Sequence, residues 1–125
     1  MKIVNLTPHT VIVHKNESFL TYPPFGKTVR LDSEPQFGIY FGSDVDVVSA
    51  PTFKSEIQWP DIPNDVDAVL VSMPVGQQIQ NSAIRYPFHV MGPDTGPESV
   101  VRNAEGQITG VKRFVLYAER KSPPY

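Results

Sequence analysis

Thirteen prolines are spread over a chain of 125 residues, and they limit the fold more than any other feature of the sequence. A proline inside a helix removes a backbone hydrogen bond and collides with the preceding turn. Long helices are therefore excluded through much of the chain. Between the prolines the apolar residues follow a period of two. Val occurs 16 times and Ile eight, and both are stiff, β-branched residues that suit a pleated strand.

The elements follow from that alternation. Ile3 to Leu6 reads as a strand, punctuated by Thr7-Pro8-His9, and Thr10 to His14 as the next. Asn16-Glu17 is a turn into Ser18 to Tyr22, which Pro23-Pro24 ends. Lys27–Leu31, Phe37–Phe41, Asp44–Val48 and Thr52–Trp59 read as further extended segments. Ala68-Val69-Leu70-Val71 is a continuous apolar run, the mark of a strand buried on both faces. One helix is signalled over Pro74 to Ala83. Ser72 is its N-cap, Pro74 lies in the first turn, and Val75, Ile79 and Ala83 form an apolar stripe. Gly76 weakens it, so packing must support it. Tyr86 to Met91 is extended. Ser99–Arg102 and Gln107–Thr109 flank the turn Asn103-Ala104-Glu105-Gly106, a hairpin signature. Val111 to Tyr117 reads as one long strand, with residues 118–125 as a tail. The expectation is a single domain over 1–125, mainly β (α+β): an antiparallel, Greek-key-like arrangement with one or two short helices.

Composition narrows the function. A formal net charge of −2 argues against a binder of long nucleic acid, which usually carries a basic excess. There is no cysteine, hence no disulfide, thiolate nucleophile or Cys-based zinc site. No apolar run approaches membrane-spanning length and the N-terminus lacks a secretory pattern, so the expected location is the cytoplasm. The small net charge hides a division. Asp32 to Asp67 holds eight acids and one base, whereas Arg102 to Lys121 holds five bases and two acids.

The sequence shows no loud catalytic motif. His9, His14 and His89 are scattered, and no nucleophile elbow, P-loop or dinucleotide fingerprint is present. No catalytic residue, cofactor or metal is assigned. His9, after Pro8, reads as a turn residue; Asp44 and Asp46 share one strand face and read as solvated. What recurs is a base beside an aromatic or amide: Arg85-Tyr86-Pro87-Phe88, Arg102-Asn103, Lys112-Arg113-Phe114, and Arg30 after Phe25. Arg matches phosphate oxygens with a planar fork, an aromatic ring offers a face for a purine, and Asn reads a base edge. These groups suit a small nucleotide.

Three segments carry a family resemblance. Asn5-Leu6-Thr7-Pro8-His9 looks like the NLTPH opening of small phage and bacterial proteins. Asp67 to Val75 resembles their strand-to-helix segment, and Val101 to Arg113 their hairpin. This group resembles the first type of Thoeris anti-defence proteins, phage-encoded sponges. The resemblance implies a β-rich core with short helices at a dimer interface, and homo-oligomers up to hexamers. It implies sequestration, without cleavage, of a cyclic ADP-ribose isomer made by TIR enzymes in the cytoplasm of an infected bacterium. In some members a separate site takes cyclic oligonucleotides. Carried onto this chain, Arg102 and Arg113 would meet phosphates and Asn103 the adenine edge or a ribose hydroxyl. Phe88 or Tyr86 would stack on the base. From composition and not from the resemblance, Arg85 joins them as the basic residue beside the aromatics and Arg30 is assigned a second phosphate contact. The chain departs from the group at Pro74, at Gln77-Gln78, at Tyr86-Pro87-Phe88 and through the acidic middle. Two other classes compete: an inhibitor that binds a host protein through its acidic middle, and a nucleotide-degrading enzyme using Asp44, Asp46 or His89.

Overall fold

The computed structural model describes residues 1–42, 44–82 and 84–121. It is a mainly β domain with one helix. The first sheet contains β1 (Ile3–Asn5), β8 (Ala68–Leu70), β9 (His89–Pro93) and β12 (Phe114–Ala118), in that spatial order. The second contains β10 (Val100–Arg102), β11 (Ile108–Val111), β2 (Val11–Lys15) and β3 (Ser18–Tyr22). Two short ladders complete the set: β4 (Arg30–Ser33) with β7 (Phe53–Gln58), and β5 (Gly38–Ile39) with β6 (Val47–Val48). Antiparallel pairing holds for these ladders and for β2–β3, β9–β12 and β10–β11. The centre differs from a purely antiparallel plan. β1, β8 and β9 run parallel, as do β11 and β2.

The apolar run around β8 explains the layering. Val69 and Val71 face one side, where they pack with Val4, Val90 and the helix α1 (Met73–Gln80) through Val75 and Ile79. Leu70 faces the other side and meets Val11, Val13 and Val111 of the second sheet. A parallel central strand must be covered on both faces, and this one is, with Ala68, Val69 and Leu70 all at 0% exposure. The molecule is thus helix, mixed sheet and second sheet, stacked in that order.

α1 ends at Gln80 with Asn81 as C-cap; Ala83, the expected third residue of its stripe, lies outside the described residues. Ser72 holds the N-cap position but makes no side-chain capping bond. The long strand expected from Val111 to Tyr117 is broken. Its first residue belongs to β11, and Phe114 to Ala118 crosses to the first sheet. Ser99 holds the corner, fully buried. Its carbonyl and Oγ accept the Lys112 N–H at 2.9 and 3.1 Å, and its Oγ also takes the Arg113 N–H at 3.3 Å. Ala118 closes β12 and is buried, so it is part of the core and not of a tail. The Lys121 N–H then donates to the Tyr86 carbonyl at 2.7 Å; Ser122 to Tyr125 lie outside the described residues. No helix among the described residues is long and apolar enough to cross a membrane.

Candidate functional site: a cleft between the two sheets

The site begins with Asn5 at the end of β1. Its amide is 2% exposed and uses its full bonding capacity. Nδ2 donates to the carbonyls of His9 (2.7 Å) and Tyr22 (2.8 Å), and Oδ1 accepts the N–H (2.9 Å) and the hydroxyl (2.7 Å) of Thr7. The Asn-Leu-Thr-Pro-His segment is therefore a structural knot. It folds the chain back after β1 and presents Pro8, His9 and Thr10 at the surface.

That loop forms one wall of a cleft of about 710 Å³. The opposite wall is β11, from Ile108 to Val111. The floor comes from Val71 and Ser72, where β8 runs into α1, and from Pro93 and Thr95 after β9. Ligands of sheets with parallel strands gather beyond the strands' carboxyl ends, and this cleft lies beyond that end of β8. The volume is that of an ordinary small-molecule site. Its polar lining residues are Thr7, Thr10, Ser72, Thr95, Thr109 and His9, among apolar ones; the Thr7 and Thr109 hydroxyls are already bonded within the chain. Among the described lining residues none is Lys or Arg. Ser72, the N-cap position of α1, is the lining residue that joins the helix to the cleft, and the N-terminal end of a helix carries partial positive charge.

None of the seven residues singled out by chemistry lines this cleft. Arg102 donates to its own turn, to the Gly106 carbonyl at 2.7 Å. Asn103 builds that turn: Oδ1 accepts the N–H groups of Glu105 and Gln107 at 3.0 Å each, and Nδ2 donates to Gln107 Oε1 at 3.2 Å. Gly106, at φ 80°, completes it. Arg113 meets Asp94 Oδ2 at 2.6 Å and Glu98 Oε2 at 3.5 Å. The pairing holds the Asp94 carboxyl below its ordinary range and raises Arg113. Tyr86 and Phe88 do come together, stacked at 5.8 Å, but against Trp59 and on the helix side of the first sheet. Phe88 is a buried core residue. Arg85 is exposed and makes no bond among the described residues, and Arg30 opens β4 opposite Gln58.

The minor candidates are likewise accounted for. The His9 carbonyl accepts the Asn5 amide, in keeping with its turn reading. His89 Nδ1 accepts the Arg120 N–H at 3.1 Å. No group of His, Asp or Glu able to hold a metal occurs among the described residues. Sequence reasoning missed Thr10, Ser72, Thr95 and Thr109 because hydroxyl residues on strand ends carry no distinctive chemistry. The useful signal was the NLTPH segment, which marks the wall and not the ligand groups. Comparison with protein families, curated proteins and solved structures gives no match.

Proposed function

We propose that the protein binds a small nucleotide-type signal in this cleft and retains it without breaking a bond. The cleft itself carries the reading. It is of ligand size, lies at the carboxyl end of a parallel strand, and is walled by a loop that a saturated asparagine holds in place. Apolar walls suit a base or ribose face, the hydroxyls suit sugar oxygens, and the first turn of α1 suits a phosphate. The family resemblance supplies the ligand class, a cyclic ADP-ribose isomer, and with it sequestration of an immune signal in a phage-infected bacterium.

Calorimetric titration with cyclic ADP-ribose isomers tests this, followed by heat release and mass spectrometry of the ligand. Tight binding is expected for at least one isomer, with the ligand recovered intact. Thr95 is exposed at the cleft floor, and Thr95→Trp should fill the space and weaken binding about tenfold or more, equivalent to roughly 1.4 kcal/mol. Arg113→Ala should change affinity little, because its guanidinium is committed to Asp94 and Glu98. Absence of binding for every isomer would refute the ligand class. A cleaved product would refute retention.

A further inference from the structure

The cleft is poor in charge. Its described lining holds no Lys, Arg, Asp or Glu, and His9 is the only other ionisable side chain there. The nearest carboxylate along the floor, Asp94 between Pro93 and Thr95, is already matched by a cation. Its Oδ2 accepts the Arg113 Nε–H at 2.6 Å, and its Oδ1 accepts the Gly96 N–H at 2.9 Å. The start of α1 can meet a phosphate but grips it lightly. A helix N-terminus holds an anion through its free N–H groups. Pro74 stands in this first turn without one, and the Gly76 N–H is spent on the Ser72 carbonyl at 2.9 Å.

What the cleft offers a ligand is neutral. The hydroxyls of Thr10, Ser72 and Thr95 make no side-chain hydrogen bond among the described residues, and all three residues are exposed. Beside them stand the apolar side chains of Ile12 and Pro93, and of Ile108, which is 56% exposed on the β11 wall. Apolar walls with a few hydrogen-bonding groups complement a ligand that has a flat apolar part and several hydroxyls. A base joined to a ribose is such a ligand, and its phosphates add nothing that this lining is built to match.

We propose that the cleft recognises its ligand by the uncharged nucleoside part, and takes a free nucleoside as well as a nucleotide. The inference rests on the reading of the cleft as a nucleotide site and deepens it. The phosphates lie at the mouth, in water and near the start of α1, and contribute little to affinity. Amide NMR and calorimetric titrations of the full-length protein, with adenosine and separately with the cyclic ADP-ribose isomers, test it. Adenosine should shift the amides of Thr10, Ser72 and Thr95 and should displace a bound isomer. The affinity of either ligand should fall less than about threefold between about 50 and 500 mM sodium chloride, since salt screens charges and these contacts are neutral. Thr10→Val, Ser72→Ala and Thr95→Val together remove three hydroxyls and little volume. The triple variant should bind adenosine about tenfold or more weakly, with its melting temperature kept. Binding of adenosine in the cleft with no isomer bound would uphold the inference and refute the cyclic signal as ligand. An isomer that binds while adenosine leaves the cleft amides in place, or whose affinity falls about tenfold with salt, would overturn the inference and leave the cyclic signal standing. Silence toward both ligands would overturn both.

Discussion

Asn5→Ala should lower the free energy of unfolding by about 3–4 kcal/mol, measured by urea denaturation. One ordinary hydrogen bond contributes about 1 kcal/mol net, and a buried group left without its partner costs about 1–3 kcal/mol. The substitution deprives four groups at once: the carbonyls of His9 and Tyr22, and the N–H and hydroxyl of Thr7. Thr7 keeps a weaker outlet, its hydroxyl lying 3.0 Å from the His9 carbonyl. The two carbonyls can recover part of their loss from water if the loop opens. That opening is the functional consequence, because the loop carries His9 and Thr10 into the cleft wall. Asn5→Asp should be comparably severe. It keeps the acceptor, loses both donors, and places a charge where the side chain is almost fully buried. A loss below about 1 kcal/mol for Asn5→Ala would mean that the knot is incidental.

Gly76→Ala should destabilise the protein by roughly 1–3 kcal/mol, although alanine is the better helix former by about 1 kcal/mol. Propensity and packing oppose each other at this position, and packing should prevail. A methyl group on Gly76 would fall within the ring of Tyr117. The ring also lies close to the backbone of β9: a Cβ added at Gly92 would come 2.9 Å from Tyr117 Cε2. Tyr117 is thus held between the backbone of α1 and that of β9, and the short helix is seated by the absence of a side chain. The same enclosure raises the Tyr117 hydroxyl above its ordinary pKa. In a Tyr117→Leu background the clash is removed, and Gly76→Ala should become neutral or stabilising. A double-mutant cycle on unfolding free energies gives the coupling directly. A Gly76→Ala protein more stable than the wild type would show that the helix rests elsewhere.

The strand plan was legible where local pattern and tertiary burial agree. Ala68 to Val71 could only be a strand covered on both faces, and it is the centre of the molecule. Ser18 to Tyr22 and the Asn103–Gly106 turn also stand where their residues indicate. The corner at Lys112 was not legible. Apolar alternation continues across it unbroken, and only the buried Ser99, far from that strand in the pattern, fixes the switch between sheets. The parallel pairing of β1 with β8 was equally hidden, since it joins segments some sixty-five residues apart with no local pattern to announce it. The candidate ligand residues misled for a physical reason. Arg102, Asn103 and Arg113 have strong hydrogen-bonding groups, and the fold spends them on a carbonyl, a turn and two carboxylates. Groups able to grip a phosphate are equally able to build a hairpin. The cleft is instead lined by Val, Ile and Pro with Thr, Ser and one His among them, residues whose chemistry is quiet until the chain brings them together.

The most direct measurement is a two-dimensional amide NMR titration of the full-length protein with the cyclic ADP-ribose isomer that binds best. The expected result is a set of saturable shifts confined to residues 7–12, 71–75, 93–95 and 108–111, the walls and floor of the cleft and the first turn of α1. Amides of Arg102, Asn103, Tyr86 and Phe88 should stay in place. Shifts centred on the 102–107 hairpin or on the Tyr86–Phe88 stack, with the cleft silent, would contradict the account.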